Sequence, residues 1–180
     1  MSLKLCPEKA EMFKIMMDQL AAINSQINIH FRTDEGFYVQ CMDQSQASLC
    51  DIKLHPDWFD NYEFEKEVVV GINLEILNKI MACRGKSQTL TMMVGQEEET
   101  DKIEIIMDEG KSPDVDKAFE MNTYFFEGEL LEIPDVEADI DITVNSSLIT
   151  NAIEQIAIFG ETLQFQCHDD GITLVSKENK

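Results

Sequence analysis

Phe13, Met16, Met17, Leu20 and Ile23 recur at helical spacing in EKAEMFKIMMDQLAAI, residues 8–23, and define one apolar face. Pro7 stands where a helix start is favoured, because its fixed φ suits the first turn and its missing N–H is not needed there. Two alternating runs follow, INIHF and FYVQC, joined by Thr33-Asp34-Glu35-Gly36, and this pattern predicts a β-hairpin. The order helix, strand, turn, strand then returns twice. Asn73 caps a second helical stretch, NLEILNKIMAC (73–83), with Leu74, Leu77, Ile80 and Met81 apolar and the strands TLTMMV and KIEIIM after it. A third helix is predicted in NSSLITNAIEQIAIF, capped by Asn145 or Ser146, ahead of LQFQC, His168-Asp169-Asp170-Gly171 and ITLV.

Helices beginning near residues 8, 74 and 147 imply an α+β fold of repeated helix-plus-antiparallel-strand units. Two repeats fill a first domain, 1–125, closing on a long strand at 117–125, and 126–137 is a connector. The third repeat, 138–180, opens on a strand at 138 and has room for only the first half of a second domain. A fourth helix is accordingly expected beyond Lys180. One stretch departs from the pattern: in CMDQSQASLCDIKL (41–54), Met42–Ala47 interrupts an alternation that resumes at Leu49, with neither Gly nor Pro to mark a turn. An apolar edge beside such a loop either buries itself or binds something.

Composition narrows the classes. With 44% apolar residues, 8 Gly and 4 Pro, the chain is globular and neither disordered nor fibrous. Its 35 acidic against 14 basic residues give a net charge of -21, which repels phosphate and anionic membranes, so any nucleic-acid contact must be local. Five scattered cysteines, without a CxxC pair or a histidine at ligand spacing, read as reduced, mostly buried thiols. No secretory leader and no run approaching the ~18 apolar residues of a membrane span is present, which points to an intracellular protein. The chain has no P-loop, GxGxxG, GxSxG or HExxH, and His30, His55 and His168 stand isolated. The alternation Asp135, Glu137, Asp139, Asp141 and the run EEETD (97–101) read as solvated faces and not as a cation site. Binding is therefore the expected class, with no enzyme activity, cofactor or metal.

The hinge MDQSQASL (42–49), WFDNY (58–62), VGINLEILNKIMAC (70–83), FEMN (119–122), LLEIP (130–134) and DDGITLVS (169–176) occur in this order. Together they give a chain that resembles, over residues 8–176, the sliding clamps of the proliferating cell nuclear antigen (PCNA) type, the DNA polymerase processivity factors. The resemblance implies the DNA clamp fold, with helices on one face of the sheets, two domains per subunit and three subunits closed around duplex DNA. It implies a client-peptide pocket at Met42, Gln46, Ala47, Leu49, Leu131, Ile133 and Pro134, with Gln46 and Ala47 standing where His and a larger aliphatic are common. Lys14 and Lys79 match family lysines on the DNA side, where Arg84 and Lys86 add charge nearby, and Phe119 and Met121 fall at the implied subunit interface.

Helical geometry sets Lys14, Asp18 and Ala21 opposite the first apolar face, Glu75, Lys79, Ala82 and Lys86 opposite the second, and Ser147, Asn151, Glu154 and Ile158 opposite the third. The third row lacks the basic residues of the family, and few lysines mean weak direct DNA affinity. The implied partners are duplex DNA without sequence preference, DNA polymerase and other clients carrying a short hydrophobic motif, a clamp loader, and further copies in a trimeric ring, with no membrane. The implied location is the nucleus, or for a viral protein the site of viral DNA replication. The alternatives are a clamp-derived adaptor or transcription-factor-like module that does not encircle DNA, and a subunit of a heterotrimeric checkpoint clamp. The strand that pairs across subunits would follow Ser176, and only Lys177–Lys180 remain. The sequence is thus read as a fragment of a longer clamp in preference to a short clamp closed by another partner.

Overall fold

The computed structural model describes residues 1–95, 101–109, 117–124, 126–127, 130–133, 137, 139–168 and 171–177. Residues 97–100 of the EEETD run, Pro134, Asp135 and the Asp169-Asp170 turn lie outside them.

A short strand, β1 (Ser2–Leu5), leads into helix α1 (Pro7–Ile23), with Pro7 in its first turn as expected. The hairpin β2 (Gln26–Arg32) and β3 (Gly36–Met42) follows, and Gly36 at φ 89° supplies the left-handed turn residue that a side chain would strain. Next come β4 (Leu49–Leu54), a 3-10 turn (Pro56–Trp58), β5 (Asn61–Glu63) and β6 (Val68–Asn73), which runs directly into α2 (Leu74–Met81). The Asn73 side chain accepts the Ile76 N–H at 3.2 Å and so caps α2. Strands β7 (Thr89–Val94), β8 (Lys102–Asp108) and β9 (Lys117–Asn122) follow, then α3 (Ser146–Ala157), β10 (Thr162–His168) and β11 (Gly171–Lys177).

Two expectations need correction. The strand expected over 117–125 stops at Asn122, because Tyr124 leaves that ladder to exchange backbone hydrogen bonds with Gly71 (3.1 and 2.8 Å). Of the strand expected from 138, Ala138 lies outside the described residues, and residues 139–145 find no ladder partner among those described.

Contacts divide the chain into two compact units, Met1–Leu131 and Glu132–Lys180. The first holds two antiparallel sheets, ordered β5-β1-β7-β8-β9 and β4-β3-β2-β6. Helix α1 packs against β1, β7 and β3, and α2 against β6 and β9, so each helix touches both sheets. Ala10, Phe13, Met17 and Leu20 of α1 are buried, as are Leu74, Leu77 and Met81 of α2. Phe13 meets Phe37 edge-on with ring centroids 5.5 Å apart, and Phe31 stacks on Phe64 at 4.6 Å. Each such side chain contributes about 1.5–3 kcal/mol by leaving water. In the second unit α3, capped by Asn145 on the Ser147 N–H (3.0 Å), packs on the β10–β11 hairpin, and none of its described residues is fully buried.

The cysteines are less uniform than the sequence suggested. All five are free, but only Cys41 is buried; Cys83 lies just past α2 and Cys167 on the open hairpin, both exposed.

Candidate functional site

Alternation along β3 sends Tyr38, Gln40 and Met42 to one face of its sheet, opposite Lys53, Asp51 and Leu49 on β4. The sheet's outer surface therefore passes from a polar end to an apolar one, Met42 beside Leu49, at the mouth of the hinge loop. At the polar end the Tyr38 hydroxyl donates to Asp51 at 2.7 Å, and the Arg32 guanidinium sits 4.5 Å above the Tyr38 ring. Burial, with the Asp51 carboxylate, pushes the phenol up to about 12, so Tyr38 stays neutral.

The loop that lacks Gly and Pro is organised by Asp43. Its carboxylate accepts the N–H groups of Ala47 (2.9 Å), Ser48 (2.7 Å) and Ser45 (3.3 Å) and the Ser45 hydroxyl. Its backbone accepts from Gln46 at 3.0 Å and donates to Ser48 at 3.1 Å. The side-chain bond from Ser45, followed by the backbone donors, holds the Asp43 carboxyl below the usual carboxylate range. Gln46 takes the left-handed turn position at φ 57°. Gln46 and Ala47 are exposed on the loop, Leu49 is 40% exposed, and Met42 is half-buried.

A strap from the end of the first unit crosses this sheet. Tyr124 bridges Gly71 on β6, the Phe126 carbonyl accepts from the Asn28 side chain on β2 (2.8 Å), and Leu131 is clasped by Gln40 on β3. In that clasp the Leu131 N–H donates to Gln40 Oε1 at 2.7 Å, while Gln40 Nε2 donates to the Leu131 carbonyl at 3.0 Å. Gly71 is required where the strap passes, because a Cβ there would collide with the Tyr124 carbonyl and lie 2.8 Å from the Phe126 ring. The result is that Leu131, 48% exposed, stands beside the strand that carries Met42. Ile133 is exposed in the second unit, and Pro134 lies outside the described residues.

The residues expected to face DNA divide into two pairs. Lys79 and Lys86 are exposed and make no ion pair among the described residues. Lys14 is half-buried and ion-paired with Asp18 at 2.5 Å. Arg84, its side chain 3% exposed, bonds Glu11 (2.6 Å) and the carbonyls of Gln88 (2.8 Å) and Gly85 (3.1 Å), fastening the end of α2 to α1. The outermost row of α1 is Met12, Ile15 and Gln19, not the Lys14, Asp18 and Ala21 row read from periodicity. On α3, Asn151, Glu154 and Ile158 are exposed as expected.

Phe119 and Met121 both turn inward on β9, Phe119 packing against the core and Met121 buried within it. Strand β9 is the last strand of its sheet, so what it leaves open is a backbone edge flanked by Ala118, Glu120 and Asn122. Among the described residues no group of three or more His, Cys, Asp or Glu could hold a metal ion, and no helix is long and apolar enough to cross a membrane.

The sequence reading did not identify Gln40, Asn28 or Asp43. For Asp43 a signal existed, since an Asp ahead of Ser commonly folds back on the N–H groups that follow. Gln40 and Asn28 carry no local signal, because their partners lie 91 and 98 residues away.

Residues 3–127 match the family model described as proliferating cell nuclear antigen, N-terminal domain. A Paramecium bursaria Chlorella virus 1 protein named "Probable DNA polymerase sliding clamp 2" is 28% identical over 176 residues, which cover 92% of this chain and 62% of that relative. The chain thus spans less than two thirds of the relative's length.

Proposed function

We propose, on the premise that the chain belongs to the proliferating cell nuclear antigen family of sliding clamps, that it serves DNA replication as a non-enzymatic platform tethering polymerase and other clients to duplex DNA. Three subunits, opened and closed by a clamp loader, form the ring, and it acts where the genome is copied, which for a viral protein is the site of viral DNA replication. A short hydrophobic client motif docks on Met42, Leu49 and Leu131, with Gln46 and Ala47 around it. Lys79 and Lys86 meet phosphates, and the β9 edge, backed by Phe119 and Met121, joins subunits. The observation that carries this reading is the strap: two hydrogen bonds from Gln40 hold exposed Leu131 beside an exposed apolar strand end, where no core needs it.

The test is binding of a hydrophobic client peptide to the wild type and to Leu49→Asp. Leu49 sits at the exposed end of an edge strand, so the substitution leaves the core intact while forcing a carboxylate against an apolar partner. A loss of at least ~30-fold, the scale of an interface hot spot, is expected. Equal affinity for the two proteins overturns the docking assignment.

A second reading, an adaptor that does not encircle DNA, draws support from the basic residues. Lys14 and Arg84 are spent on ion pairs within the first unit, and α3 carries no basic residue. Loading onto nicked circular DNA, followed by release on linearisation, supports the clamp; no retention on the circle supports the adaptor.

A further inference from the structure

We propose that Cys41 and Cys50 are a paired redox-modification site, a dithiol that a glutathione-class disulfide oxidises to a disulfide linking β3 to β4. The two residues are directly opposed in the antiparallel ladder, between the pairs Val39↔Ile52 and Met42↔Leu49. Directly opposed residues have Cα atoms about 4.5–5.5 Å apart, within the roughly 4.4–6.8 Å that a disulfide spans. Alternation sends both thiols to the same, inner side of the sheet, and both are free.

The order of reaction follows from position. β4 is an edge strand and Cys50 is half-buried, whereas Cys41 belongs to the core, so a reagent meets Cys50 first. The Cys50 thiolate attacks one sulfur of oxidised glutathione and expels one glutathione thiolate, leaving a protein–glutathione mixed disulfide. The Cys41 thiolate then attacks the Cys50 sulfur and expels the second glutathione. Two protein thiols are oxidised, one glutathione disulfide is reduced to two thiols, and the protons of Cys41 and Cys50 leave with the products. Burial, then the neighbouring Cys50 thiol, pushes the Cys41 thiol up to about 11, which makes it a poor first nucleophile but leaves it facing its target once Cys50 is capped.

No other described cysteine has such a partner. Cys167 opposes Ile172, Cys83 follows α2, and Cys6 lies between β1 and α1. These three stop at the mixed disulfide. The bond closes a covalent ring around the 43–48 loop and pins the strand ends that present Met42 and Leu49.

The test treats the full native chain with oxidised glutathione, blocks remaining thiols with N-ethylmaleimide, and cleaves before Asp43, which separates the two cysteines. The wild type is expected to yield the Cys41 and Cys50 peptides joined until reduction, lighter by two hydrogens than their sum, while Cys83 carries glutathione. Cys41→Ser is expected to trap glutathione on Cys50. Either stable glutathione on wild-type Cys50, or both thiols still open to N-ethylmaleimide while Cys83 is modified, overturns the proposal.

Discussion

Replacing Gln40 by Ala isolates the clasp that holds the strap. The substitution removes the acceptor of the Leu131 N–H (2.7 Å) and the donor to the Leu131 carbonyl (3.0 Å), together with a longer contact to Asp51 at 3.4 Å. A protein hydrogen bond contributes about 0.5–1.5 kcal/mol net, so two lost together cost about 2 kcal/mol of strap closure, or roughly 30-fold in its opening constant. Because Gln40 points away from the core while Val39 and Cys41 point into it, the cost falls on Leu131 and not on the sheet. Amide hydrogen exchange reads this directly: the Leu131 amide is expected to exchange faster by about that factor, with Val39 and Ile52 unchanged. Gln40→Glu keeps an acceptor for the Leu131 N–H and loses only the donor, so it is expected to fall between. Leu131 exchange within twofold of wild type in Gln40→Ala, or equal acceleration across β3 and β4, refutes the assignment of the clasp.

Gln46→Gly relieves the left-handed φ of 57°; set against glycine's greater unfolded-state freedom, a gain of about 0.5–1 kcal/mol in unfolding free energy is expected, read as a higher denaturant midpoint at unchanged slope. His30 titrates below its ordinary 6.5 because burial, then the charge of Arg32, opposes protonation, and Glu67 only partly offsets them. Its contribution to stability is therefore present above pH 6.5 and is lost as pH falls below that value, since the unfolded chain then binds the proton more readily. Urea midpoints measured from pH 7.5 down to 5 are expected to fall less for His30→Gln than for wild type. In DNA binding, Lys79→Ala and Lys86→Ala are each expected to flatten the slope of log affinity against log salt by about 0.9. Arg84→Ala is expected to leave that slope unchanged and to lower thermal stability, because its guanidinium is engaged inside the first unit.

The parts legible in the sequence are those written in local chemistry. The helices follow from 3.6-residue apolar spacing bounded by Asn73 and Asn145, whose side chains accept N–H groups of the first turn, from Ile76 and Ser147. The hairpins follow from alternation around Gly36 and Gly171. β1 and β5 are four and three residues long, too short for a period to register, and exist because other strands pair with them. β6 has no boundary of its own in the sequence, because VVVGIN runs without a turn into α2. The solvent row of α1 was misread for a tertiary reason: α1 packs on α2 as well as on the sheets, and Asn78 of α2 donates to the Met17 carbonyl. That second contact rotates the buried stripe, so Lys14 is half-covered while Met12 and Ile15 face out. Of the candidate site, the Met42–Leu49 edge could be read from the broken alternation, but the clasp that brings Leu131 to it could not.

The charge of the chain constrains how a clamp reading can work at all. With a net charge of -21, DNA is repelled at long range, and attraction must come from individual lysines close to phosphates. On α1 and α2 and the turn after them, Lys9 is paired with Asp60, Lys14 with Asp18 and Arg84 with Glu11, which leaves Lys79 and Lys86. Two phosphate contacts per chain give a salt slope of about -1.8 for one subunit and about -5.4 for a ring of three, so in either case the attraction falls as salt rises. On the clamp reading, retention that survives high salt comes from topology: a closed ring is held by its own continuity and needs no attraction to the strand it surrounds. The same helix surface that would be a defect in a DNA-binding domain is compatible with encirclement, so salt-resistant retention on circular DNA, lost on linearisation, is the property that separates a clamp from an adaptor.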